Sequence, residues 1–217
     1  MKHRHLFSVL LLVLCTAGLL CACGNSKSTP QTLYLELAQL TEEEASLAQL
    51  MGTERLEYLY NFAVDDAAQS LHLQMYHLVN GKWEPTEQHS SMALSGTTGR
   101  ILLEIEDFAD GVRRFAVQSG APGEKPNSFS SEKHLPPESA DEEDLLALGY
   151  SRLATRLSGQ KAVVYEEEIP VAIQLYSKQN AVSSPNLEDF AHPENFDVSH
   201  GEEVYAITIL FSQNPLS

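Results

Sequence analysis

From Arg55 to Ser212 the apolar residues recur mainly at every second position, the period of a strand with one buried face. In RLEYLYNFAV, Leu56, Tyr58, Tyr60, Phe62 and Val64 alternate with less apolar neighbours, and DDAAQ then turns the chain. SLHLQMYHLV runs into Asn80-Gly81, a pair suited to a two-residue type I′ turn because both central residues need positive φ. KWEPT follows, so the spacing predicts a hairpin. Pro85, which donates no ladder hydrogen bond, ends the pairing or places the return strand at a sheet edge. A second hairpin is predicted in GRILLEIEDFADGVRRFAVQS, with Ile101, Leu103 and Ile105 on one face, a turn at Asp110-Gly111, and Phe115 and Val117 on the return strand. Two hairpins in succession suggest an antiparallel meander.

The last third adds KAVVYEEEIPVAIQLYS and EEVYAITILFS, both rich in β-branched and aromatic residues. In the final run Tyr205, Ile207, Ile209 and Phe211 alternate with Val204, Ala206, Thr208 and Leu210, so a strand buried on both faces is expected there. Elsewhere the period lengthens. LTEEEASLAQLMG reads as a short helix capped by Thr41, with Glu44 completing a capping box, Leu47, Leu50 and Met51 sharing a face, and Gly52 as the stop. DEEDLLALGYSRL reads as containing a second short helix, its first-turn acids favoured by the macrodipole. Between them the stretch from Gly120 to Ala140 gathers Gly, Pro and Ser and reads as a long exposed loop, mobile or functional. Short strands without strand-helix alternation point to a mainly β fold, an antiparallel β-sandwich with one or two short helices. The rival architecture is an α+β single twisted sheet.

The N-terminal segment follows different rules. Lys2 and Arg4 precede the apolar run Leu6 to Leu14, and small residues follow around Thr16 to Gly18, the layout of a secretory signal peptide. The run is shorter than the roughly 20 residues of a membrane span. At its end LCAC, Leu20 to Cys23, resembles the lipobox of bacterial lipoproteins. That resemblance covers the leader only. It implies a signal peptide over residues 1–22, a diacylglyceryl thioether on Cys23 as the new N-terminus, a lipidated tether over 23–31, and a single mainly β domain over 32–217. Cys15 and Cys21 would leave with the leader and Cys23 would carry lipid, so the mature domain would hold no free thiol and no disulfide. It would be stabilised by its core alone, in a compartment that permits disulfides.

Charge narrows the partners. The chain carries 14 Lys and Arg against 30 Asp and Glu, a formal net charge of −16. Both leader cations lie before Cys23, so the mature chain is more acidic still. Nucleic acid, which needs clustered Lys and Arg, is excluded as a partner. Solubility and self-repulsion between tethered neighbours account for the charge without a specific ligand.

Candidate chemistry is sparse. No phosphate loop, GxSxG elbow, HExxH or dinucleotide fingerprint occurs, and nothing points to a cofactor. His192, Glu194, Asp197 and His200 would converge on a cation only if their loop curled around it, whereas polar loops of this composition are usually solvated. Glu166 and Glu168 would place two carboxylates on one strand face for acid/base work, or would form a charged edge that discourages aggregation. Tyr76, His77 and Trp83 surround the Asn80-Gly81 turn, either as an exposed platform for sugar stacking or, for Trp83, as core.

These readings converge on a lipid-anchored domain facing outside the cytoplasm. Its partners are the bilayer, reached through Cys23, and an envelope protein, peptide or glycan, in a non-catalytic binding or accessory role. The competing class is an envelope hydrolase using paired carboxylates or a loop-bound metal. The Cys23→Ser variant is expected either to accumulate as uncleaved precursor or to appear in the soluble fraction, because two acyl chains hold a protein on a bilayer where one gives only marginal binding. Fractionation and gel migration identical to wild type would remove the anchor.

Overall fold

Each alternating segment becomes a strand of an antiparallel sheet, and the two sheets bury their apolar faces against one another. The computed structural model describes residues 33–51, 58–107, 112–120, 127–134, 151–179, 183–198 and 202–216. The leader, Cys23, Leu56, Gly52, the Asp110-Gly111 turn, residues 141–150 of the second expected helix, and His200 lie outside the described residues, as do the side chains of Met51, Ile105, Phe115 and Val117.

Eleven strands occur among the described residues: β1 Tyr34–Leu37, β2 Leu59–Ala63, β3 Ser70–Val79, β4 Lys82–Ala93, β5 Thr98–Asp107, β6 Val112–Gly120, β7 Asn127–His134, β8 Ser151–Arg156, β9 Lys161–Ala162, β10 Glu168–Ser177 and β11 Glu203–Ser212. The first sheet has the order β7-β6-β5-β2-β1-β9 and the second β4-β3-β11-β10-β8. This is the expected mainly β, antiparallel β-sandwich, and the single-sheet alternative is excluded.

The core forms where the alternating residues of the two sheets meet. Leu35, Tyr60, Phe62, Ile101 and Leu103 of the first sheet pack with Leu71, Leu73, Met75, Ile207, Ile209 and Phe211 of the second. Phe62 and Phe211 lie ring to ring at 5.4 Å. The buried Tyr60 hydroxyl donates to the Val171 carbonyl at 2.9 Å, which satisfies a polar group inside that layer. β11 sits between β3 and β10 and is buried on both faces, as its sequence requires. Its outward residues Val204 and Ala206 join Leu78, Ile173 and Leu175 in a second cluster. Two 3-10 turns, Leu187–Ala191 and Pro193–Asn195, bring Leu187, Phe190 and Phe196 down onto this cluster.

Three local expectations meet different outcomes. The Asn80-Gly81 turn has φ of 50° and 73°, and β3 and β4 pair from Val79 opposite Lys82, so the type I′ hairpin holds. Pro85 lies on β4, which is the sheet edge. The two hairpins do not form one meander, because β3–β4 belongs to the second sheet and β5–β6 to the first. A period of two reports a buried face without reporting which sheet owns it. The run from Lys161 to Ser177 holds two strands in different sheets: β9 ends at Ala162 in the first sheet, and β10 begins at Glu168 in the second. The residues between them make the crossing, with a turn at Tyr165-Glu166.

The Gly120 to Ala140 loop is corrected, since Asn127–His134 forms β7 and pairs with β6 from Val112 opposite His134 to Ser119 opposite Asn127. Every proline of that stretch falls outside Asn127–His134, so no ladder donor is lost, and an edge strand tolerates its polar sequence. The helix α1 spans Glu42–Met51 and carries the expected capping box, with the Thr41 N–H donating to Glu44 (2.9 Å) and the Glu44 N–H to Thr41 Oγ1 (3.2 Å). Its buried face is not the expected one. Arg100 of β5 pairs with Glu44, which fixes the rotation of the helix and buries Ala48 one turn on. Leu47 and Leu50 are left 58% and 85% exposed.

Phe211 closes the core at one end of the central strand and has no exposed surface. Phe211→Ala is expected to cost about 3 to 5 kcal/mol in chemical denaturation, the range for emptying an aromatic core site. A loss below about 1 kcal/mol would show that this end of the sandwich is not close-packed.

Candidate functional site

The outer face of the second sheet is covered over only half its length. Toward the Asn80-Gly81 turn the 3-10 segment covers it, and Trp83 closes that cover. Its ring stacks on Phe190 at 5.4 Å and meets Phe196 edge-on at 5.6 Å, and its indole N–H donates to the Phe190 carbonyl at 2.8 Å. Trp83 is therefore a packing residue of the second cluster and not an exposed sugar platform. His77 points the other way, toward the first sheet, where it stacks on Tyr205 at 4.7 Å and meets Glu203 at 2.6 Å.

Beyond Tyr76 the same face is open and forms a groove of about 760 Å³. Its floor comes from His72 and Gln74 of β3, Thr208 and Leu210 of β11 and Glu168 of β10, while β4 and the segment after β11 supply the walls. Glu166 and Glu168 both line it, so the paired carboxylates singled out in the sequence do share one site. Their environments differ. Glu166 sits at φ 63°, a left-handed conformation uncommon for a side chain other than Gly, Asn or Asp. Its Oε1 accepts from Ser212 Oγ (2.7 Å), the Gln213 N–H (3.0 Å) and Asn214 Nδ2 (3.2 Å). The Ser212 hydroxyl first, then the Gln213 N–H, hold the Glu166 carboxyl below its ordinary range. Glu168 accepts from the Tyr76 hydroxyl at 2.5 Å. Burial, reinforced by that bond, pushes the Tyr76 hydroxyl up.

The groove also holds an arrangement that linear spacing hides. His72 and Ser91 face each other across β3 and β4, with His72 Nδ1 2.8 Å from Ser91 Oγ. His72 Nε2 lies 2.9 Å from Ser70 Oγ, and the fully buried Ser70 hydroxyl donates to the Asn214 carbonyl at 2.7 Å. One hydroxyl has one proton, so Ser70 receives from His72 and the imidazole carries hydrogen on Nε2. In the neutral ring Nδ1 is then the acceptor for Ser91. The tautomer follows from this hydrogen-bond assignment.

Carrying the register of the Asn80-Gly81 turn straight along the hairpin sets His72 opposite His89. A bulge between Gln74 and Tyr76 moves the partner two residues along, to Ser91. Side chains stabilise the bulge: Gln74 Nε2 donates to the Met75 and Thr86 carbonyls at 2.7 and 3.0 Å, and Thr86 Oγ1 donates to Met75 at 3.1 Å. The turn itself was readable, but the bulge was not.

The remaining candidates do not join this site. His192 Nδ1 and Glu194 Oε1 are 3.3 Å apart on an exposed turn, and neither they nor Asp197 line the groove. Among the described residues no group of three or more His, Cys, Asp or Glu is placed to hold a metal ion. No family model, curated protein or solved structure matches this chain.

Glu166 fastens the segment after β11 along the groove wall, and its lowered carboxyl gives that fastening a pH dependence. The folded state binds the proton more weakly than the unfolded chain, so the contribution is present above the ordinary carboxylate value of 4.5 and is lost as pH falls through the lower folded value. Glu166→Gln is expected to melt below wild type at neutral pH, with the gap closing on acidification below about pH 4. A gap independent of pH would show that the charge of Glu166 contributes nothing.

Proposed function

We propose that this protein is a lipid-anchored, extracytoplasmic binding or accessory module whose ligand site is the groove on the outer face of the second sheet. The observation that supports the reading best is the groove itself: an open trough of mixed polar and apolar lining on a rigid strand floor, where side chains are positioned before any ligand arrives. The leader and Cys23 support the anchor and the orientation away from the cytoplasm.

The lining limits the ligand. Among the described residues its charged side chains, Glu166 and Glu168, are both carboxylates and no Lys or Arg lines the groove, and the chain is acidic as a whole. A basic peptide segment or a hydroxyl-rich glycan answers those acceptors, whereas a polyanion is repelled. Acid/base hydrolysis by the carboxylate pair is the weaker reading. A general acid needs a raised pKa, and Glu166 is held low, first by the Ser212 hydroxyl and then by the Gln213 N–H.

The test is a thermal-shift screen of the soluble domain, beginning at Thr29, against basic peptides, glycans and divalent cations. A ligand at about a hundredfold its dissociation constant adds about 2.7 kcal/mol. Glu168 is exposed, so Glu168→Gln is expected to leave the unliganded melt within about 0.5 kcal/mol of wild type while removing the ligand shift. A shift that survives this substitution unchanged places the ligand elsewhere.

A further inference from the structure

We propose that Ser91 is an activated nucleophile and that the groove hydrolyses a carboxylic ester carried by its ligand, with His72 as the general base. The inference builds on the groove as the ligand site and adds chemistry to it.

Three features of the geometry support it. Ser91 is exposed and lines the groove, so a bound carbonyl can reach its oxygen. His72 lines the same groove and presents Nδ1 to that oxygen at 2.8 Å, within the range for proton abstraction. The opposite side of the ring is held by a buried partner: Ser70 has no exposed surface, and its own proton is committed to the Asn214 carbonyl at 2.7 Å. Nucleophile, base and an orienting group on the far ring nitrogen are the three parts by which activated serines are recognised, whatever their order in the chain.

The reaction balances with water as the only co-reactant. Ser91 Oγ forms a bond to the ester carbon as its proton passes to His72 Nδ1. The carbon–oxygen bond to the alcohol breaks, and His72 returns the proton to the departing alkoxide. Water then repeats the sequence on the acyl-serine, releasing the acid and restoring Ser91. Ser91 and His72 touch the reacting atoms, and Ser70 is a positioning residue.

The purified full-length protein is treated with a fluorophosphonate, which bonds to an activated serine through phosphorus with loss of fluoride, and the adduct is located by mass spectrometry. Separately, release of nitrophenol from p-nitrophenyl acetate is followed. The expected result is a single adduct on Ser91 and ester turnover, both abolished in Ser91→Ala. In His72→Ala both are expected to fall at least about a hundredfold and to recover in part on addition of free imidazole, which a purely structural role for His72 would not produce. Ser70→Ala is expected to lower the labelling rate and change its pH profile while Ser91 remains the labelled residue. A wild-type protein that melts cooperatively yet leaves Ser91 unmodified overturns the proposal. If Glu168-dependent ligand shifts persist in that case, the groove binds without reacting. If they too are absent, the groove reading fails with it.

Discussion

A strand that is apolar on both sides cannot be left with either side in water, and β11 imposes that constraint on the whole molecule. Tyr205, Ile207, Ile209 and Phe211 require a second sheet beneath them, and the first sheet meets that need. Above them the outward residues change along the strand, from Val204 and Ala206 to Thr208, Leu210 and Ser212. The neighbouring strands change in step once their antiparallel registers are applied. β3 presents Leu78 and Tyr76 at one end and Gln74 and His72 at the other, and β10 runs from Leu175 and Ile173 to Pro170 and Glu168. The apolar half needs a cover and receives the 3-10 turns with Phe190 and Phe196. The polar half needs none, and it is the groove. Tyr76 stands at the boundary, its ring edge-on to Phe190 at 5.8 Å and its hydroxyl on Glu168.

Two irregularities then decide which side chains occupy the open half. The bulge at Pro170/Ala172 lets β10 keep Ile169 and Ala172 inward although three positions separate them, so Glu168 and Ile173 both face outward. The bulge in the β3–β4 hairpin moves Ser91 opposite His72. The left-handed backbone at Glu166 is held in the same way, from its surroundings. Its N–H donates to the Phe211 carbonyl at 3.0 Å, and its carboxylate gathers three donors from the last residue of β11 and the two after it. A strained residue persists where neighbours over-determine it, and such residues concentrate around functional sites.

What could be read from the sequence and what could not divide along physical lines. Burial was legible wherever a strict period of two met large apolar residues, as at Tyr58, Tyr60, Phe62 and Val64 or along β11, because burying those side chains outweighs local alternatives. The Asn80-Gly81 turn was legible because its φ values exclude most other residue pairs. Sheet membership was not, since a hairpin has the same pattern in either layer. β7 escaped notice because an edge strand is held by backbone bonds that its polar side chains do not advertise. The rotation of α1 was misread because the Glu44–Arg100 pair joins residues far apart in the chain. The site was half legible: Glu166 and Glu168 lie close together in sequence and share the groove, while His72 and Ser91 meet only across a bulged ladder.

The acidity of the groove follows from the same placement and bears on any chemistry there. Thr208, Gln74 and Ser91 are neutral, so Glu166 and Glu168 set the sign of the local field. Such a field opposes a negatively charged ligand at the point of entry and favours a cationic one. The two carboxylates thereby narrow the ligands the groove can take to neutral and cationic ones. The donors that hold Glu166 ionised therefore serve both ends. They keep the wall of the groove in place, and they maintain the negative charge that sets the sign of its field.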